Sequence, residues 1–357
     1  MKNIINKELL QKIAEDNQLS EAQINSINAS KKLNIKQTVD LTDTRVKTIK
    51  EIEADLICSK FLPLRRNFLN NICAKGGVGK TTIALEVAII SILEEKHNYN
   101  RSFNVLFWAS EDSESDIRDR FNIICNDILK LSKEDREYVL KNLTIIDIET
   151  DIPTFLDKEF GKGKIKRTED YNSFIEFIEP FDFIILDPLL AFYSVCGLDE
   201  NNNAEAKQFM MLFTSLSQKL KKTFLMIAHT AKHEEGIRGA SAFRDAFRLS
   251  YSISKYQTKI LDEDKKEVKD QNGNCVMKDN ALLSHLREVK IIKDNSSVEL
   301  YLRASKKFFI FVYEDCYSIF RVQIFKNKSK HELDKEIEIS NNCYLTHTQK
   351  IKNKKEL

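Results

Sequence analysis

The sequence predicts an α/β domain built on a mainly parallel sheet with helices on both faces. Three observations predict it. From about Phe61 onwards, short unbroken apolar runs rich in β-branched and aromatic residues alternate with helical stretches. One junction between such a run and the next helix carries a glycine cluster followed by Gly79-Lys80-Thr81-Thr82. A later run, "FDFIILD", ends in an acid where parallel strands reach their carboxyl edge.

The elements follow in order. Residues 1–60 read as a polar helical segment with loose three-to-four apolar spacing, as in "ELLQKIAEDNQLSEAQINSI". Residues 61–325 hold the alternation of strands and helices. Strand "FLNNICA" (68–74) precedes a helix from Lys80; strand "NVLFWAS" (104–110) precedes a helix from Asp116. "LTIIDIE" (143–149) and "FDFIILD" (181–187) come next, then a helix from Ala204 and strand "TFLMIAHT" (223–230). After "FRLSYSISKY", residues 257–280 read as a charged loop. "REVKIIK", "VELYLR", "FFIFVYED" and "YSIFRVQIF" are expected as antiparallel strands at the sheet edge. Residues 326–357 form a polar, lysine-rich tail.

Composition narrows the class. The net charge is +2, so no overall field marks the surface as a nucleic-acid binder, and any such contact must be local. The seven cysteines are scattered without a C-x-x-C pair, poor material for a disulfide framework or a zinc site, and suited to a reduced cytosol. The charged N-terminus has no apolar signal core. The longest apolar run, Ile83–Leu93, is about half the ~20 residues needed to span a bilayer. A cytoplasmic protein without membrane contact is expected.

The stretch "AKGGVGKTT" carries the chemistry. A strand-to-helix loop can aim backbone N–H groups and the positive helix end at a phosphate. Lys75, Gly76, Gly77, Val78, Gly79, Lys80, Thr81 and Thr82 form the candidate loop, with Lys80 on the β- and γ-phosphates and the Thr81 hydroxyl on Mg²⁺. The usual pattern asks for glycine at position 74, where this chain has Ala74; a small residue suffices there. No N-K-x-D motif follows a later strand, so ATP is expected rather than GTP.

Other candidates sit at strand ends. Asp187 can hold Mg²⁺ through water. Glu111, after the second strand and expected beside the first, can polarise the attacking water, although acids there also suit a helix N-terminus capped by Ser110 or Ser113. His229, with Lys232 shortly after, can sense the γ-phosphate. Arg238, Arg244 and Arg248 surround the small residues of "EEGIRGASAFRDAFR"; the spacing of Arg244 and Arg248 puts them near one helix face. Such a loop suits an arginine finger reaching a neighbouring subunit.

Together, "AKGGVGKTTIALEVA", "WASEDSESDIRDRF", "FDFIILDPLLAF", "GLDENNNAEAKQFM", "MIAHTAK" and "RGASAFRDAFRLS" resemble the RepA-type hexameric helicases of plasmid replication, which belong to the RecA-like P-loop ATPases. The resemblance covers about residues 60–255. It implies Lys80 and Thr81 at the phosphates and metal, Asp187 for Mg²⁺, Glu111 as catalytic base and His229 as phosphate sensor. It also implies Arg238 or Arg248 acting across a subunit interface. It further implies ATP and Mg²⁺ as cofactors, a homo-oligomeric hexamer, single-stranded DNA as partner, and a replication initiator or primase as a possible second one. Loops at about 190–203 and 231–240 would face a central channel. Two other readings stand beside it. "KGGVGKTT" is similar to ParA-type partition ATPases, in which Lys75 would reach across a dimer. An ATP-bound DNA-associated regulator would use the nucleotide only as a conformational ligand.

Overall fold

The computed structural model describes residues 48–158, 165–230, 237–255, 257–259, 266, 268–271, 273, 275–279, 286–298, 307–314 and 320–325. The N-terminal segment as far as residue 47, the lysine-rich tail, most of "VELYLR" and Lys232 with His233 lie outside the described residues. The described residues from Thr48 onward belong to one compact unit, which holds the sheet.

This unit opens with helix α1 (Ile49–Ala54). Thr48 caps it reciprocally: its hydroxyl accepts from Glu51 N at 3.3 Å and its own N–H donates to the Glu51 carboxylate at 2.8 Å. Strands β1 (Leu56–Ile57) and β2 (Leu64–Arg65) form a hairpin. Ile52, Leu56, Ile57, Leu62 and Leu64 are buried with the sheet core, so residues 48–60 pack as part of the unit expected to begin at 61.

There follow β3 (Leu69–Ala74), α2 (Lys80–Tyr99), β4 (Val105–Ala109), α3 (Glu114–Ile123) with a π-helical turn, α4 (Lys133–Asn142) and β5 (Leu143–Ile146). A hairpin of β6 (Leu156–Lys158) and β7 (Ile165–Arg167) leads to α5 (Glu169–Phe177), β8 (Phe183–Asp187), α6 (Leu189–Ser194), α7 (Asn203–Lys219) and β9 (Thr223–His229). Last come α8 (Ser241–Ala246), β10 (Leu249–Lys255), β11 (Gln257–Lys259), β12 (Met277–Asp279), β13 (Leu286–Asp294), β14 (Lys307–Glu314) and β15 (Phe320–Phe325). The stretch after β10, expected as loop, therefore contains a two-stranded ribbon of β11 and β12.

One nine-stranded sheet has the order β15-β14-β13-β10-β3-β9-β8-β4-β5. The strands from β10 to β5 run parallel; β13, β14 and β15 add antiparallel to β10. The expectation that the strand before Glu111 lies beside the strand before the phosphate loop is not met. The chain leaves β3, skips two positions to β4, and fills the gap later with β8 and β9. Sequential strands are neighbours often but not always, and this skip opens a crevice at the carboxyl edge where ligands of such sheets bind.

Alternation along each strand divides the core. Val105, Phe107 and Ala109 of β4, with Phe183 and Ile185 of β8, face the layer containing α2. Leu106 and Trp108, with Ile184 and Leu186, face the layer of α5, α6 and α7. That second layer is built on aromatic rings: Phe155 lies within 4.8 Å of Phe174 and 5.6 Å of Phe213, centroid to centroid. In β3, Asn70 and Asn71 are fully buried polar residues tolerated through backbone partners: Asn70 Nδ2 donates to Phe224 O at 3.1 Å and Asn71 Nδ2 to Met226 O at 2.7 Å. Cys58, Cys73, Cys125 and Cys196 are buried free thiols. No described helix is long and apolar enough to cross a membrane.

Candidate functional site

The phosphate loop leaves β3 at Ala74 and enters α2 at Lys80. Ala74 is the last residue of the strand and fully buried, with its carbonyl accepting from Thr230 N at 3.3 Å. Within the loop, positive φ occurs at Gly77 (69°) and Gly79 (93°). Those two positions need glycine; position 74, as a strand residue, does not. A Cβ on Gly76, Gly77 or Gly79 would meet nothing within 4 Å, so the loop surrounds open space. Gly79 is the N-cap of α2 and supplies no side-chain acceptor, leaving the first helical N–H groups for an anion.

Lys80 is the first residue of α2, 8% exposed, and its Nζ donates to Lys75 O at 3.1 Å across the loop. Burial lowers its pKa, while the negative charges of Asp187 and Glu111 raise it. The Lys75 side chain is exposed, and Thr82 is buried behind the loop.

Asp187 ends β8, one strand beyond β9, and is 5% exposed. Burial raises its pKa to about 6; a hydrogen bond from Thr81 and the charge of Lys80 oppose that, and Asp112 and Glu111 add to it. Its Oδ2 is buried without a hydrogen-bond partner among the described residues. A buried carboxylate with one unused oxygen, beside a threonine hydroxyl and a lysine, has the chemistry of an Mg²⁺ site completed by phosphate and water. Asp187 and Thr81 therefore fit Mg²⁺.

The tip of β4 is clamped to that of β8: Ser110 N and Oγ both donate to Asp187 O, at 2.9 and 3.1 Å. Ser113, not Ser110, caps α3, accepting from Asp116 N at 3.2 Å. Asp112 pairs with Arg120 at 2.8 Å. Glu111 is exposed beyond the strand tip, and its charge acts on Lys80, Asp187 and His229. His229 is half-buried at the tip of β9; burial lowers its pKa, as do Lys80 and Arg238. The neutral imidazole is thus favoured.

Lys80, Thr81, Glu111, Asp187 and His229 share one edge of the sheet. Arg238 stands near it: its N–H donates to His229 O at 2.9 Å, while its guanidinium pairs with Glu200 at 2.8 Å. Arg248 is elsewhere. It precedes β10, donates its N–H to Leu69 O at 2.9 Å, and lays its guanidinium over Phe68 at 5.5 Å. This is the amino edge, separated from the phosphate loop by the length of β3, roughly 20 Å. Arg248 therefore does not join the phosphate loop of its own chain. The expected shared helix face of Arg244 and Arg248 is also corrected: α8 ends at Ala246 and the backbone is extended at Phe247. The residues 190–194, expected as loop, are the turn of helix α6.

One residue was not marked by any motif. Arg287 of β13 is 2% exposed and donates from Nε to Val78 O at 2.9 Å, inside the phosphate loop.

Sheet order, phosphate loop and strand-end acids together define a RecA-like P-loop ATPase. The sequence model described as "AAA domain" matches residues 37–235, more than half of the chain, and the chain belongs to that family. P-loop ATPases of this kind generally use ATP with Mg²⁺. Among solved structures, the chain is similar to the flagellar accessory protein FlaH from Methanocaldococcus jannaschii, with 13% identity, 74% of this chain and 91% of that chain covered, and a TM-score of 0.44. No curated protein matches.

Proposed function

We propose that the protein is an ATP-hydrolysing motor that assembles as a homo-hexamer and acts on single-stranded DNA, as a plasmid or mobile-element replication helicase of RepA type. The observation that carries the ATPase part is the meeting of Lys80, Asp187 and Glu111 around one open loop, where the charges of Asp187 and Glu111 act on Lys80 and those of Lys80 and Glu111 act on Asp187. The DNA part is supported by the order of the quoted segments, above all "DENNNAEA" followed by "HTAK" and "RGASA".

In this reading the loop N–H groups and Lys80 hold the β- and γ-phosphates. Asp187 and Thr81 hold Mg²⁺, which when bound neutralises charge developing on the phosphate oxygens. Glu111 orients the attacking water and takes its proton. His229, neutral at physiological pH, donates a hydrogen bond that differs between ATP and ADP and passes that difference to the segment leading to Arg238. Arg238 or Arg248 reaches a neighbouring protomer's nucleotide.

The test is an ATPase assay with and without single-stranded DNA, on wild type and Glu111→Gln, with particle mass measured by light scattering in ATP. DNA-stimulated turnover lost in the variant, on a particle near six protomers, supports the proposal. A dimer on ATP points to partition chemistry, and an oligomer without turnover makes the nucleotide a structural ligand.

A further inference from the structure

The antiparallel extension of the sheet, β13 to β15, contributes none of the groups assigned above, yet one of its side chains enters the phosphate loop. Arg287 pairs in register with Lys255 at the carboxyl end of β10, and β10 is the direct neighbour of β3. The register therefore places Arg287 at the edge where the loop lies. It is among the largest fully buried side chains of the described residues. A guanidinium is charged at all working pH values, and burying one as mere filler is strongly unfavourable.

Arg287 contacts the loop's backbone: its Nε donates to Val78 O at 2.9 Å. Val78 stands between Gly77 and Gly79, both at positive φ, the two most permissive positions of the loop. In a trans peptide the C=O and the following N–H point in opposite directions. Holding the Val78 carbonyl towards Arg287 therefore turns the Gly79 N–H away from Arg287. Gly79 is the residue from which α2 starts.

We propose that Arg287 is a positioning residue for the nucleotide site: it fixes the Val78–Gly79 peptide so that the Gly79 N–H faces the phosphates. It thereby makes the antiparallel strands a structural part of ATP binding. The inference rests on the reading of the loop as an ATP site.

Two variants test it. Arg287→Met keeps bulk and removes donor and charge; Arg287→Lys keeps the charge but loses the planar Nε–H. The measurements are affinity for a fluorescent ATP analogue, KM and kcat for ATP, and melting with and without Mg-ATP. We expect ATP and ADP affinity to fall about tenfold in Arg287→Met and less in Arg287→Lys, with KM rising in step. A purely structural role would lower the melting temperature equally with and without nucleotide and leave the folded protein's affinity at the wild-type value. That result, in Arg287→Lys alone should Arg287→Met not fold, overturns the inference. Lys80→Ala separates the two readings. If it retains ATP binding, the ATP-site reading itself fails; if it abolishes binding while both Arg287 variants bind as wild type, only the role of Arg287 fails.

Discussion

Arg238 Nη2 lies 2.8 Å from Glu200 Oε1, joining the segment after β9 to the loop before α7. The junction is reinforced through the backbone. Ala240 N donates to Glu200 O at 2.8 Å, and Asn203 Oδ1 accepts from Ala242 N at 3.0 Å. Gly239 has φ 98°, and a Cβ there would sit 2.9 Å from Glu200 O. The segments "DENNNAEA" and "IRGASA" are thus two halves of one interlocked structure, which accounts physically for their occurring together. Gly239→Ala is expected to lower stability by about 1–3 kcal/mol, through the backbone strain and the close carbonyl. Glu200→Gln, at a pair whose side chains are 59% and 32% exposed, should change it by less than about 1 kcal/mol. Thermal melting of both variants checks the contrast.

If an arginine acts across a subunit boundary, catalytic units are shared. Lys80→Ala and Arg238→Ala would each be inactive alone, and mixing them would restore part of the DNA-stimulated turnover. Hybrid oligomers contain interfaces where an intact Lys80 meets an intact Arg238. The same mixing with Arg248→Ala decides which arginine crosses. Arg248 is better placed to act only in trans, since it stands at the amino edge beside Leu69. No recovery with either arginine variant would exclude a finger from this segment.

Glu111 can be separated from the binding residues. It is exposed at the tip of β4 and is not the cap of α3, a role that Ser113 fills. Glu111→Gln should lower kcat by about 10²–10⁴-fold, the usual worth of a general base. ATP affinity should remain within a few-fold, because the phosphate-holding groups are untouched. Single-turnover kinetics with parallel nucleotide binding measures both. Equal losses in affinity and rate would make Glu111 a binding residue.

Acid should loosen the loop before α7. Glu205 accepts from Lys158 Nζ at 2.7 Å, Asp199 N at 2.9 Å and Asn202 Nδ2 at 3.1 Å. Lys158 foremost holds its carboxyl below the ordinary value of 4.5, against a smaller opposing effect of burial. The folded state therefore binds this proton more weakly than the unfolded one. The stabilisation is fully present above pH 4.5 and is lost as pH falls through the depressed folded value. Glu205→Gln should cost about 1–3 kcal/mol at pH 7 and flatten this part of the acid limb. Urea unfolding of both proteins between pH 3 and 7 tests the sign.

Much of the architecture was legible because each central strand is an unbroken apolar run buried on both faces. "VLFWA", "FIILD" and "TFLMIAH" are short, rich in β-branched and aromatic residues and bounded by polar segments, which reads as buried strand, and their ends placed Asp187 and His229 without knowledge of the strand order. The order itself was not legible: nothing in the residues of β4 says that β8 and β9 will later separate it from β3. Short elements were harder to read: the hairpin of β6 and β7 lacks enough length for a periodic signal, and in α8 the helix was expected but not its early end. The failed pairing of Arg244 with Arg248 has that cause, for the helix stops at Ala246 before a full turn connects them. Arg287 escaped for a different reason. Its contact with Val78 joins residues far apart in the chain through the register of β10 and β13, and within "REVKIIK" it reads as an ordinary strand-end arginine.

Ala74 offers the last test, because it stands where the common phosphate-loop pattern has glycine. In the structure it is a strand residue: it pairs with His229 on one side and Ile253 on the other, and it is fully buried. Positive φ begins only at Gly77. Restoring the common pattern with Ala74→Gly should therefore bring no gain in ATP affinity. It should instead lower stability by about 0.5–1 kcal/mol, through the greater freedom of the unfolded chain and the lost methyl contact. Gly77→Ala and Gly79→Ala, at positions that require positive φ, should weaken ATP binding by a larger factor than Ala74→Gly. Nucleotide titration and denaturant unfolding of the three variants measure the two effects separately. Tighter ATP binding by Ala74→Gly would mean that the loop needs freedom at its first position that the strand geometry denies it.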